Sequence, residues 1–142
     1  MDLIFGYRYL PMGFFYGPRV SLMLGYGSYG YDMDTGGGFT ESTFSGLMLG
    51  IKGSMPFEKK VRAFVQLDFL LSPTYEEGIV VNGLADSSTS FHVSVGGQYT
   101  YTPRMTLDAS FDIRNSKAKF KSPTKSVAIK DMGINLGTTI TF

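Results

Sequence analysis

A period of two runs through this chain almost from end to end, and it is clearest in the last segment. From Ala128 the even positions read Ala128, Lys130, Met132, Ile134, Leu136, Thr138, Ile140 and Phe142. The odd positions read Ile129, Asp131, Gly133, Asn135, Gly137, Thr139 and Thr141. One face is mostly apolar and the other is polar or lacks a side chain, which predicts a β-strand lying between two different surroundings. The same alternation predicts strands over Asp2–Leu10, Arg19–Tyr31, Thr43–Met55, Val61–Ser72, Thr89–Thr102 and Met105–Asn115. Between 61 and 72, for example, Val61, Ala63, Val65, Leu67, Phe69 and Leu71 oppose Arg62, Gln66, Asp68 and Ser72. No segment keeps a helical period. Pro11, Pro18, Pro56, Pro73, Pro103 and Pro123 all fall between these strands or at their ends, where a missing N–H costs no ladder bond.

The connections come in unlike kinds. Ser54–Lys60 and Tyr101–Met105 are short, Leu10–Pro18 is intermediate, and Asp32–Ser42, Pro73–Ser88 and Asn115–Ser126 are long and polar. Short turns at one end and long loops at the other predict an all-β, antiparallel up-and-down meander with two different ends.

Composition narrows the setting. The 142 residues suit a single domain over the whole chain, and 13 Lys and Arg against 12 Asp and Glu exclude a nucleic-acid binder driven by bulk charge. There is no cysteine, hence no disulfide framework or thiolate metal site. The 18 glycines, 12 Phe and 9 Tyr fit close β packing and interfacial belts better than a helical bundle. No apolar run reaches the roughly 20 residues of a membrane helix. Met1-Asp2 opens directly into strand-like sequence without a charged-then-apolar leader, so an exported form is expected to have lost its signal, with Met1 in its place. Nothing calls for a cofactor. Asp32-Met33-Asp34, with Gly36-Gly37-Gly38 and Glu41, lacks the later ligands of a calcium loop and reads as a mobile tip.

Two arrangements compete for the two faces. A soluble lipocalin-like barrel turns its apolar face inward, whereas a transmembrane barrel turns it to lipid. The polar face carries Arg8, Arg19, Lys52, Arg62, Asp68, His92, Asp108, Asp112, Arg114 and Asp131 among many Gly and Ser. Balanced charges with small residues making room suit a narrow lumen filled by side chains, and predict a charge network that plugs it. The apolar face is aliphatic in mid-strand and aromatic towards the ends, with Tyr7, Tyr9, Tyr99, Tyr101 and Phe142 at the short-turn end and Tyr26, Tyr29, Phe91 and Phe111 at the other. Such belts are what a bilayer selects. The pattern favours the transmembrane barrel.

Gly137-Thr138-Thr139-Ile140-Thr141-Phe142, with its terminal aromatic, and Phe5-Gly6-Tyr7-Arg8-Tyr9 resemble segments of the small outer-membrane barrels of Gram-negative bacteria, the OmpX/OmpA-like, porin-like group. The resemblance implies a location in the bacterial outer membrane and eight strands. It also implies outer-membrane lipid and the barrel-assembly machinery as partners, with Phe142 part of the assembly signal. It places Phe142 on the periplasmic side. Counting back from there, Asp2–Leu10 runs down and Met1 sits outside the cell, so seven clear strands leave the count one short of even. A strand before Met1, a strand from Phe14–Arg19, or another chain covering the first edge would restore it.

Candidate chemistry is sparse. His92 and Ser94 share one strand face, with Asp108 and Asp112 on the same face of the next strand, the raw material of acyl transfer. The pair has the spacing used by outer-membrane lipid A deacylases, but parity turns it towards the lumen, away from a lipid substrate. A polar core histidine, and a non-enzymatic protein, is the expectation. Lys117, Lys119, Lys121 and Lys125 fall in one predicted loop, with Arg114 and Lys130 at its base, and predict contact with lipopolysaccharide phosphates. Glu76-Glu77 followed by Gly78-Ile79-Val80-Val81-Asn82 reads as a hairpin extension able to take a partner by strand addition. The expected role is structural, or surface interaction through the long loops.

Overall fold

The computed structural model describes residues 3–9, 17–34, 39–77, 85–121 and 125–140. They form one seven-stranded sheet in sequence order, built from β1 (Leu3–Tyr9), β2 (Arg19–Asp34), β3 (Phe39–Pro56), β4 (Val61–Glu77), β5 (Ser87–Thr102), β6 (Met105–Phe120) and β7 (Lys125–Ile140). Every neighbouring pair is antiparallel, so this is the up-and-down meander the alternation predicts, with all seven expected strands. No pairing joins β1 to β7 among the described residues, and the sheet is not closed.

The sheet is nevertheless rolled. Arg114 on β6 lies with its guanidinium 3.6 Å from the ring centre of Tyr29 on β2. In a flat sheet those strands would stand about 19 Å apart at the usual strand spacing. The roll gives the sheet an inner and an outer face, and the pleat assigns each residue to one of them.

In the lower part of the strands the outer face is apolar. Leu22, Leu24, Tyr26, Leu47, Leu49, Ile51, Val65, Phe69, Leu71, Val95, Tyr99, Leu107 and Phe111 are all exposed there. The inner face at the same level holds Asp68, Ser90, Ser94 and other polar groups, and those three are buried. Towards the upper end the polarities exchange while the parity holds. On β6 the inner residues become Ser116, Ala118 and Phe120, all buried, and the outer ones Lys117 and Lys119. On β3 the inner residues are Ser42 and Phe44 and the outer ones Glu41 and Thr43; on β7, Val127 and Ile129 are partly buried while Ser126 and Lys130 are exposed. The inner residues of this upper part close into an aromatic core. Phe44 meets Tyr75 at 4.9 Å between ring centres with the rings tilted, Tyr75 meets Phe120 edge-on at 5.6 Å, and Tyr31 meets Phe44 at 6.3 Å. Tyr29, Met48, Leu70 and Ala118 complete it.

The exchange corrects the expected connections. Part of each of Asp32–Ser42, Pro73–Ser88 and Asn115–Ser126 is strand, because β2, β4 and β6 continue upward and β3, β5 and β7 begin a few residues before the predicted starts. Following the apolar face alone loses each strand where that face turns polar. It also misplaces Tyr29, which points inward and not with Tyr26 on the outer face. β4 passes through Pro73 by a bulge: Ser72, at φ 47°, and Pro73 together oppose Gly46, between the pairs Leu47–Leu71 and Ser45–Thr74. Such a bulge inserts one residue and shifts parity by one, which is why Pro73 and Tyr75 face inward above it whereas Leu70 and Asp68 do so below. A Cβ on Gly46 would lie 3.1 Å from the Pro73 Cα, so the bulge needs a glycine opposite.

Phe44 is fully buried at the centre of the aromatic core, and Phe44→Ala is expected to cost about 3–5 kcal/mol. Urea titration followed by tyrosine fluorescence reads this as a lowered midpoint.

Candidate functional site

The polar inner face converges on one histidine. His92 lies on β5 between Asp68 of β4, its register partner, and the residues of β6. Its Nδ1 is 2.8 Å from Asp68 Oδ2 and its Nε2 is 3.0 Å from Asp112 Oδ1. A carboxylate only accepts, so each contact uses a ring N–H and the imidazole bridges the two strands on either side of its own. Both carboxylates are held in turn. Gln66 Nε2 donates to Asp68 Oδ2 at 2.8 Å, Ser110 Oγ donates to Asp112 Oδ2 at 2.8 Å, and Asn135 Nδ2 on β7 donates to the same oxygen. One hydrogen-bonded layer therefore ties β4, β5, β6 and β7 together. A second hydroxyl contact, Ser90 Oγ to Ser116 Oγ at 2.7 Å, sits one step above it.

Glycines leave room for the inner-face carboxylates. A Cβ on Gly50 would collide with the Asp68 carboxylate and come within 2.9 Å of Met23 Cε, and one on Gly137 would collide with Asp108. The acidic side chains lie over backbone that has nothing above it.

The predicted acyl-transfer set is assembled only in part: Asp112 meets both His92 and Ser94, whereas Asp108 stands apart. Ser94 pairs in register with Asp112, while Asp108 pairs with Gln98, six residues along β5 from His92 and so roughly 20 Å away. With both ring nitrogens engaged by carboxylates, neither is left to take a proton from a serine hydroxyl. Metal chemistry finds no group of His, Asp and Glu able to hold an ion among the described residues.

Among the described residues, Arg19, Lys52, Arg62 and Arg114 of the predicted network lie on the inner face, in surroundings that charge matching alone did not indicate. Lys52 Nζ sits 3.9 Å above the Phe64 ring, and Arg114 above Tyr29. Arg62 donates to the Gly17 carbonyl at 2.8 Å and to Ser54 Oγ at 3.4 Å. Arg19 opens β2 at the same lower end. Asp131 is exposed on β7 opposite Arg114 in register. Sequence reasoning missed Phe64 and Tyr29. Their signal was parity, since each shares the polar face of its strand, where a ring can lie under a cation.

The lysines are not one loop. Lys117 and Lys119 are outward on β6, Lys125 opens β7, and Lys121 stands in the turn with its ammonium 2.8 Å from Asp86 Oδ1. Lys130, also outward, is opposite Asn115 and beside Lys117, immediately above Met132. The basic group therefore runs from Lys130, just above the outer apolar band, up to Lys121 and Lys125 at the far end of the β6–β7 pair. In the upper core, burial pushes the Tyr75 phenol above its ordinary value, and Glu77, 2.9 Å away, adds to this while the Ser42 hydrogen bond opposes it. Residues 1–2, 10–16, 35–38, 78–84, 122–124 and 141–142 lie outside the described residues, as does the side chain of Arg8. The Gly36–Gly38 tip, the Gly78–Asn82 extension, the strand expected from Phe14 and the Phe142 signal therefore fall there in whole or in part.

No protein family, no curated protein and no solved structure matches this chain.

Removing the bridging ring leaves two carboxylates facing across the sheet. His92→Ala is expected to destabilise by about 3–5 kcal/mol, the scale for one partner lost from a buried charged group. Asp68→Asn with Asp112→Asn in the same background should recover most of the loss. A urea titration of the single and triple variants tests this, and equal midpoints for both would contradict it.

Proposed function

We propose that this chain is the barrel domain of a non-enzymatic outer-membrane protein whose interior is plugged and whose upper sheet projects outside the bilayer as an interaction surface. The observation that carries the reading is the outer apolar band. It occupies Val61–Leu71 on β4, Phe91–Tyr101 on β5, Met105–Ile113 on β6 and Met132–Ile140 on β7. Each stretch matches the about 9–11 residues with which a tilted strand crosses a hydrocarbon core. Water leaves such a continuous exposed band unfavourable, since monomeric soluble proteins rarely show contiguous apolar patches beyond a few hundred Å².

Two further features support it. The exchange of polarity above the band is what a strand needs on leaving lipid, with an aqueous outer face and an aromatic interior. The polar layer around His92 fills the interior at the level of the band, so the role is structural and not that of a wide pore. Lys130 and Lys117 are the first lysines above the band and Lys119, Lys121 and Lys125 continue upward from them, and outer-leaflet lipopolysaccharide is the proposed partner of this basic strip. The barrel-assembly machinery, reading Phe142, is the proposed route into the membrane.

Val95 and Thr89 share the outer face of β5, the first in mid-band and the second above it. Val95→Arg should cost about 2–4 kcal/mol in lipid vesicles, and Thr89→Arg about 0–1 kcal/mol. Stable monomeric protein in buffer without detergent would overturn the membrane reading. Replacing Lys117, Lys119, Lys121 and Lys125 by Ser should weaken binding to lipopolysaccharide-containing vesicles and leave binding to neutral vesicles unchanged; equal binding by both proteins would remove the lipid partner.

A further inference from the structure

The outer apolar face is hollowed near its lower end. Gly97 lies between Val95 and Tyr99 on the outer face of β5, and its register partner Ala109 lies between Leu107 and Phe111 on that of β6. Tyr99, Leu107 and Leu136 stand around this small pair, all exposed. Between them is a hollow of about 600 Å³ with an almost wholly apolar lining. Packing does not require the glycine. Beyond its chain neighbours, a Cβ on Gly97 would come no nearer than 3.7 Å to the protein, at the Arg62 carbonyl oxygen, whereas one on Gly96 would collide with the Ala109 carbonyl. A glycine inside a strand gives up packing and costs entropy, and it often marks the close approach of another group.

A second groove lies directly below. Val61 and Tyr99, paired in register, border the hollow, and the next residues down, Lys60 and Thr100, border the groove. It runs between the turns at 57–60 and 103–104 and measures about 980 Å³. Its walls are held by backbone bonds: Thr100 N–H donates to the Lys60 carbonyl at 2.8 Å, and the N–H groups of Phe57 and Glu58 donate to the Val61 carbonyl at 2.9 and 3.2 Å. Phe57 and Tyr101 line it, 79% and 60% exposed, together with Lys59, Lys60 and one acid, Glu58. Among the described residues no carboxylate forms an ion pair with either lysine. Arg104 is exposed in the second turn. Cations, then aromatic rings, then an apolar hollow follow one another upward in the order in which a lipid presents its headgroup, interface and chain.

We infer that the lower end of β4–β6 is a binding site for one phospholipid with a net negative headgroup. Its phosphate lies on Lys59 and Lys60, and one acyl chain lies in the hollow over Gly97 and Ala109. From Tyr101 up to Gly97 is about 13 Å of strand, a span that the first half of a long acyl chain covers. The inference rests on the membrane reading above. It places a lipid at the end of the band opposite the lysines of β6 and β7.

NMR of the whole chain in phosphatidylcholine nanodiscs tests it, with a small fraction of lipid spin-labelled midway along one acyl chain. The amides of Gly97 and Ala109 should broaden about fivefold more with labelled phosphatidylglycerol than with the same amount of labelled phosphatidylcholine, the scale for a lysine facing an anionic headgroup. The amide of Leu22, an outer residue on β2, should show no such preference. Lys59→Ser with Lys60→Ser should remove the preference at Gly97 and Ala109. Gly97→Leu fills the hollow at a position with room for a side chain, so the variant folds, and it should remove the preference at Ala109. Equal broadening by the two labelled lipids, or a preference that survives Gly97→Leu, would overturn the site; broadening along the rest of the outer band would then still support the membrane reading. No broadening at any outer residue would overturn the membrane reading and the site with it.

Discussion

A side chain on a paired strand has no freedom to choose its face. The backbone ladder fixes the pleat, the pleat sends successive residues to opposite sides, and a one-residue slip would exchange the two sets entirely. Here that constraint acts on strands of 16 to 18 residues from β2 to β7. Each crosses two regions whose demands are opposite. The chain meets both by keeping parity and changing residue type. Lys117 follows Phe111 and Ile113 on the outer face of β6, while Phe120 and Ala118 follow Asp112 and Arg114 on the inner one. Where a strand carries an extra residue, at Ser72 and Pro73 of β4, the resulting shift is matched by the sequence above it, since Tyr75 arrives in the core and Thr74 and Glu76 at the surface.

The same constraint explains what could be read from the sequence and what could not. Elements with one sense of amphipathicity were legible. The lower halves of all seven strands, their order and their turns at Pro56 and Pro103 follow from alternation and proline placement alone. The upper ends were not, because Lys117-Ala118-Lys119-Phe120 alternates as cleanly as Val93-Ser94-Val95 but with the apolar set on the other face. A reading that tracks one apolar face takes the exchange for the end of the strand. Two oddities in the last segment, Lys130 on the apolar face and Ile129 on the polar one, were the local trace of it.

The site was legible in its members and not in its partnerships. Parity placed His92, Asp68, Asp112 and Arg114 on one face, which is where they lie. Register decided the rest, and register depends on the turns and on the bulge between Thr100 and Thr102. It set His92 beside Asp68 and Asp112 and moved Asp108 away to Gln98. Charge matching predicts Arg and Lys against Asp, yet Arg114 and Lys52 cover aromatic rings while His92 joins the two carboxylates. A flat ring with a nitrogen at each end can bond to the strands on both sides of its own. A Lys offers a single terminal ammonium, and its long flexible stem would lose more rotamer entropy in the same place.

The bridge also bears on why a polar layer occupies the inner face at all. Buried charged groups are weak contributors to net stability, because desolvation offsets most of their attraction. What the layer supplies is specificity. An inner face of aliphatic residues at the level of the band would make both faces of the sheet alike, and nothing would then oppose a slip that turned either one outward. With Asp68, His92, Asp112 and Asn135 bonded across four strands, a one-residue slip of any of them would carry a charged or amide group to the apolar outer face, where it finds no partner. The layer fixes which way round the sheet rolls, and the aromatic core above it, apolar on the inside, can form only on a sheet rolled that way.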